Sequence, residues 1–77
     1  MALGDISAGD RVVLSADFRL SSKRNRVCEV LHVSATGCSI RELQTRKGDV
    51  PFQDWVREHQ FRRPTDDELQ QLALERM

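Results

Sequence analysis

The stretch "RVCEVLHVSATGCSIREL", residues 26–43, limits the fold of this chain more than any other. Residues 26–33 are rich in valine, whose branched side chain suits an extended, pleated backbone. "SATG" (34–37) then places Ser at the first turn position and Gly at the last, as a type I turn favours. "CSIREL" (38–43) returns as the partner strand. The stretch is a β-hairpin, and the flanking sequence extends it in both directions.

Gly9-Asp10 turns the chain into "RVVL", a strand at about 11–16. "DFRLSSKRN" (17–25) is polar and basic apart from Phe18 and Leu20 and reads as a loop. "QTRKGD" (44–49) is a second, more open turn, with Lys47-Gly48-Asp49 at its tip. "VPFQ" (50–53) begins a strand that Pro51 places at an edge or beside a bulge. "DWVRE" (54–58) reads as a single turn and "HQFRR" (59–63) as a last short strand. Thr65 with Glu68 three residues later forms a capping-box pattern, supported by Asp66 and Asp67 in the first turn. A helix follows over about 66–76, with Leu69, Leu72 and Ala73 on one face.

Five short strands with one turn of helix before the last resemble the Src-homology-3-like small barrel. "GDRVVL" and the spacing of the turns are similar to KOW, Tudor and related members of that class over roughly residues 8–63. The expected fold is mainly β, a small five-stranded antiparallel barrel of this kind with a C-terminal α-helix. Residues 1–77 make one domain, with the barrel at about 8–63 and the helix at about 65–77. This likeness is one of fold, and a function has to be argued from particular side chains.

A chain of 77 residues buries a small core that rarely supplies more than about 5 kcal/mol. Its two cysteines cannot replace that core with cross-links. Extra stability is therefore expected from self-association, as a homodimer, or from docking onto a partner. No apolar run approaches the roughly 20 residues that span a bilayer. The start, Met1 to Asp5, lacks the basic and apolar regions of a secretory signal. The expected setting is cytoplasmic, with reduced thiols and no membrane.

Cys28, His32 and Cys38 carry the most reactive chemistry. In the hairpin, Cys38 lies opposite residue 32, 33 or 34, which separates it from Cys28 by roughly 13–20 Å along the strand. A disulfide needs Cα atoms within about 7 Å, and one zinc ion would need both sulfurs at about 2.3 Å. Neither fits. Cys38 could approach His32 across the strands, the minimum for activating a thiol, but no spacing supplies an orienting third group or an oxyanion site. The expectation is a protein with no catalytic residue, no metal and no cofactor.

Two further likenesses concern small ligands. "HVSATGCSI" is similar to the Ser-x-x-Gly turn of PilZ domains, which bind a cyclic dinucleotide, with Ser34 and Gly37 on the motif positions. His32 replaces the preceding acidic or amide residue, and the upstream Arg-x-x-x-Arg is missing. A degenerate nucleotide-binding domain is thus a remote alternative. "GDRV" (9–12) resembles the first strand of the plasmid-borne type II dihydrofolate reductase. "VPFQDWV" (50–56) stands where that family has its catalytic Val-Gln-Ile-Tyr, so the activity does not carry over.

The formal net charge is zero, but its distribution is uneven. Residues 1–63 hold 11 Lys or Arg against 8 acids, whereas 64–77 hold Arg76 against Asp66, Asp67, Glu68 and Glu75. The basic residues gather at Lys23, Arg24 and Arg26, at Arg46 and Lys47, and at Arg62 and Arg63. Turns that converge at one rim would grip phosphates, giving weak, non-specific nucleic-acid binding as the expected function. Among the aromatics, Phe52 and Phe61 are expected in the core, and Trp55 is the one that could face a ligand. The alternative is a protein-interaction or self-assembling module that uses a sheet edge, Trp55, or Leu69 and Leu72 of the C-terminal helix.

Overall fold

The computed structural model describes residues 2–45 and 48–75. The expectations for Arg46, Lys47 and the last turn of the helix at Arg76 lie outside the described residues. Five strands form: β1 (Arg11–Leu14), β2 (Val27–Val33), β3 (Cys38–Glu42), β4 (Gln53–Val56) and β5 (Phe61–Arg62). A helix, α1 (Asp66–Glu75), follows them. The strands make one antiparallel sheet in the order β4-β3-β2-β1-β5, curled into a half-barrel. The chain is mainly β with one C-terminal helix, as its strand and turn signals anticipate.

Alternation along the strands separates the two faces. Val12, Leu14, Cys28, Val30, Cys38, Ile40, Val56 and Phe61 point inward and are buried together. Phe18 closes this core from the β1–β2 connection, fully buried, with its ring edge-on to Phe52 at 6.0 Å. A segment that is polar on average thus supplies one of the two largest buried side chains.

One irregularity re-aims the end of β2. Val30 pairs with Ile40 and His32 with Ser39, so Leu31 is an extra residue in the ladder. Such a bulge reverses the side-chain phase beyond it. His32, which would otherwise share the inner face with Val30, turns out to solvent, and Val33 packs against the core opposite Cys38.

β4 departs from the sequence expectation. It spans Gln53–Val56, so "VPFQ" contributes only its last residue and "DWVRE" is largely strand rather than turn. Pro51 has no N–H to give a ladder, and pairing begins beyond it. The helical turn between β4 and β5 lies later, at Glu58–Gln60.

The outer face is covered in one place. Val13 and Val27 would be open to water, but Leu72 of α1 lies on them with Leu43 beside it. Leu72 is 3 % exposed and Leu69 is 37 % exposed, so the helix seats chiefly on one leucine instead of on Leu69, Leu72 and Ala73 together. Its first turn is fixed by a reciprocal cap. The Thr65 N–H donates to Glu68 Oε1 at 2.9 Å, and the Glu68 N–H donates to Thr65 Oγ1 at 3.1 Å. Arg62 then grips the same carboxylate with both terminal nitrogens, at 2.7 and 2.8 Å, tying α1 to β5.

The Arg62 hydrogen bond, reinforced by Thr65, depresses the Glu68 pKa to about 2. A carboxylate with a lowered folded pKa stabilises the fold above its unfolded pKa and loses that contribution as pH falls through the folded one. Here that window runs from 4.5 down to about 2. Arg62 is partly exposed, so the pair is worth about 1 kcal/mol. Glu68→Gln should therefore melt several degrees below wild type at pH 7. The gap should shrink below pH 4.5 and vanish near pH 2, and thermal melts across that range measure it. No helix of the described residues is long and apolar enough to cross a membrane.

Candidate functional site

Four of the basic residues singled out by sequence meet at one end of the sheet, where β2 begins and β3 ends. Lys23 Nζ lies 3.1 Å from Glu42 Oε2 and 5.3 Å from the centre of the Phe52 ring. Arg24 donates from Nε to the Phe18 carbonyl at 2.7 Å and leaves the rest of its guanidinium in solvent. Arg26 reaches the Gln44 carbonyl at 3.5 Å. Asn25 between them adopts a left-handed φ of 65°, and its side-chain oxygen accepts from Arg62 at 3.5 Å. Two of these four charges are already matched, Lys23 by the buried Glu42 and Arg62 by Glu68. Arg24 and Arg26 have no acidic partner among the described residues.

Arg63 lies elsewhere. It lines a cleft of about 470 Å³ beside the start of α1, with Arg11 and three acids, Asp5, Asp10 and Asp66. The cleft is mixed in charge. The basic residues thus form one rim containing two unmatched arginines and a separate, acid-balanced group.

Trp55 occupies a different surface. It stands on the outer face of β4, opposite Ser39 of β3, and is 41 % exposed. Its indole rests on Gly37 in the turn after β2. A Cβ at residue 37 would lie 2.8 Å from Trp55 Nε1 and 2.9 Å from Cε2, and would collide with the Val56 carbonyl oxygen. Gly37 is therefore required by this close approach, since its φ is not in the left-handed region that favours glycine. Strand alternation places Trp55 on the face opposite to the buried Val56, away from the core.

The open edge of β4 is partly closed by side chains. The Glu42 N–H donates to the Phe52 carbonyl, which sets the alternation of backbone groups along the ladder. By that alternation the N–H groups of Trp55 and Arg57 face the open edge. Asp54 Oδ1 accepts the first at 2.8 Å and Gln60 Oε1 the second at 2.9 Å. Asp54 is itself held by an ion pair with Arg19. An added strand would have to displace both caps, so the outer face of β4 is more available to a partner than its edge.

A second cleft of about 470 Å³ is lined by Leu3, Ala35, Thr36, Arg57, Glu58 and His59. Arg57 continues the outward phase of Gln53 and Trp55, and Thr36 immediately precedes Gly37. Sequence reasoning missed Thr36, Arg57 and His59. The period-two signal Gln53-Trp55-Arg57 was present, but "DWVRE" read as a turn concealed it.

The thiols and His32 do not form a reactive group. Cys28 pairs with Glu42 and Cys38 with Val33, at opposite ends of the hairpin, and both are free and buried. His32 is exposed on the opposite face from Cys38. Burial, with the Glu42 charge nearby, pushes the Cys28 thiol up to about 12, and burial also raises Cys38. A thiol needs its thiolate to react. Native protein at pH 8 should show negligible reaction with a disulfide reagent, and two groups should titrate after denaturation. Among the described residues no cluster of three or more His, Cys, Asp or Glu is placed to hold a metal ion. Comparisons of the chain with protein-family models, with curated proteins and with solved structures returned no match.

Proposed function

We propose that this chain is a non-enzymatic small-barrel docking module that binds a protein partner through the outer face of β4. The observation that carries the reading is Trp55, partly exposed on the outer face of β4 with its indole against Gly37. Tryptophan is strongly enriched among residues that dominate binding energy, because it gives up a large apolar area at little conformational cost. A small domain rarely spends its only tryptophan on solvent. The likeness to KOW- and Tudor-type barrels fits a module of this size that acts through its surface. A photo-crosslinking residue at Gln53, on the same face as Trp55, should yield discrete protein adducts in cells, and Trp55→Ala should abolish them. Adducts that persist in Trp55→Ala would contradict the reading.

A second reading, weak nucleic-acid binding, draws on Arg24 and Arg26, two half-free guanidiniums flanking Asn25 at the same rim. Two unmatched charges there predict low affinity and a shallow salt dependence. Labelled single-stranded dT20 should bind at low salt and release in Arg24→Glu with Arg26→Glu. Equal polarisation of wild type and the double variant would sink this reading.

A further inference from the structure

The cleft lined by Thr36, Arg57 and His59 identifies the chemistry of the partner, on the reading that this face docks protein. Three of its features belong together. Arg57 is exposed and has no acidic partner among the described residues, unlike Lys23, Arg41 and Arg62, each of which pairs with a glutamate. Thr36 and His59 line the same cleft, and neither side chain has a hydrogen-bond partner among the described residues, so both are available to donate. Trp55 lies two residues before Arg57 on the same strand phase, and its indole rests on Gly37, the residue after Thr36. Glu58, the one acid in the lining, accepts the Leu3 N–H at 3.3 Å and is directed at the N-terminal segment.

We infer that this site takes an acidic peptide, in which a carboxylate enters the Thr36–Arg57–His59 cleft while a neighbouring apolar side chain covers Trp55. An arginine fork matches a carboxylate in two parallel hydrogen bonds, and a hydroxyl or ring N–H beside it adds a third donor. The indole excludes water from that ion pair, which strengthens it relative to an exposed one. The two parts of the site thus demand two adjacent properties of the ligand, one charged and one apolar. The basic rim at Arg24 offers guanidiniums without an aromatic neighbour of comparable exposure, and so lacks the second property.

Trp55 is the only tryptophan, and its fluorescence reports the site directly. The probes are a short peptide alternating Leu and Glu, the same peptide with Lys for Glu, and single-stranded dT20. The Leu–Glu peptide should shift the emission to the blue and bind at least tenfold more tightly than the Leu–Lys peptide. Arg57→Glu should reverse that preference, whereas Arg24→Glu should leave it unchanged. Binding without preference between the two peptides would overturn the inference while leaving the docking face intact. Tighter binding of dT20 than of the Leu–Glu peptide, lost in Arg57→Glu, would overturn it in favour of a phosphate polymer. No response to any probe would overturn it as well. Circular dichroism of Arg57→Glu, expected to match wild type because residue 57 is exposed, separates loss of the site from loss of the fold.

Discussion

Gly37→Ala should destabilise this protein by about 3 kcal/mol, at the upper end of what overpacking a small core costs. The added methyl would meet the Val56 carbonyl, which is fixed in β4, and the Trp55 indole, which rests on the glycine. The indole could swing away. The carbonyl cannot move without disturbing the ladder between β3 and β4. For a domain of this size such a loss lowers the melting temperature by roughly 12–24 °C. Trp55 emission should also change, since the ring loses its seat. Gly4→Ala is the control, because nothing lies within 4 Å of a Cβ there, and it should be neutral or slightly stabilising. Equal melting temperatures for Gly37→Ala and wild type would contradict the close contact with Val56 and Trp55.

Removal of residues 65–77 should cost about as much, for a different reason. Leu72 is the buried residue of α1, and it covers Val13 and Val27. Burying one leucine contributes about 1.5–3 kcal/mol, and truncation also uncovers both valines and leaves Arg62 without Glu68. Leu72→Asp tests the packing alone and should be worse than 3 kcal/mol, since the carboxylate would be buried without a partner. Leu69→Asp, at a largely open position, should cost less than about 1 kcal/mol. Similar losses from the two substitutions in a denaturant titration would contradict the seating described here. An isolated helix of ten residues is too short to persist in water, so the tail should unfold with its support.

The hairpin, the cap of α1 and the β-class of the chain were legible because each has a local cause. Valine runs, a Ser-Ala-Thr-Gly turn and a Thr–Glu pair act over a few residues and leave a mark in sequence. β4 was hidden because Trp55 faces solvent and Asp54 lies on its own strand edge, so neither supplied the apolar alternation of a strand. The bulge at Leu31 left no signal, since no glycine or proline marks it, and His32 therefore read as a neighbour of Cys38. Phe18 was obscured by the charges around it. The basic residues were visible, but their neutralisation by Glu42 and Glu68 depends on contacts 19 and 6 residues apart, which composition does not reveal. Gly37 was assigned to the turn, and only the folded chain adds Trp55 and Val56 as reasons for it.

Backbone amide NMR of labelled protein, titrated with the Leu–Glu peptide, tests most directly that docking occurs at the Trp55 face. The account predicts shifts centred on the Trp55 indole N–H, Thr36, Gly37 and Arg57, with Lys23 to Arg26 and α1 unmoved. Shifts centred on Arg24 and Arg26, with Trp55 unmoved, would contradict it.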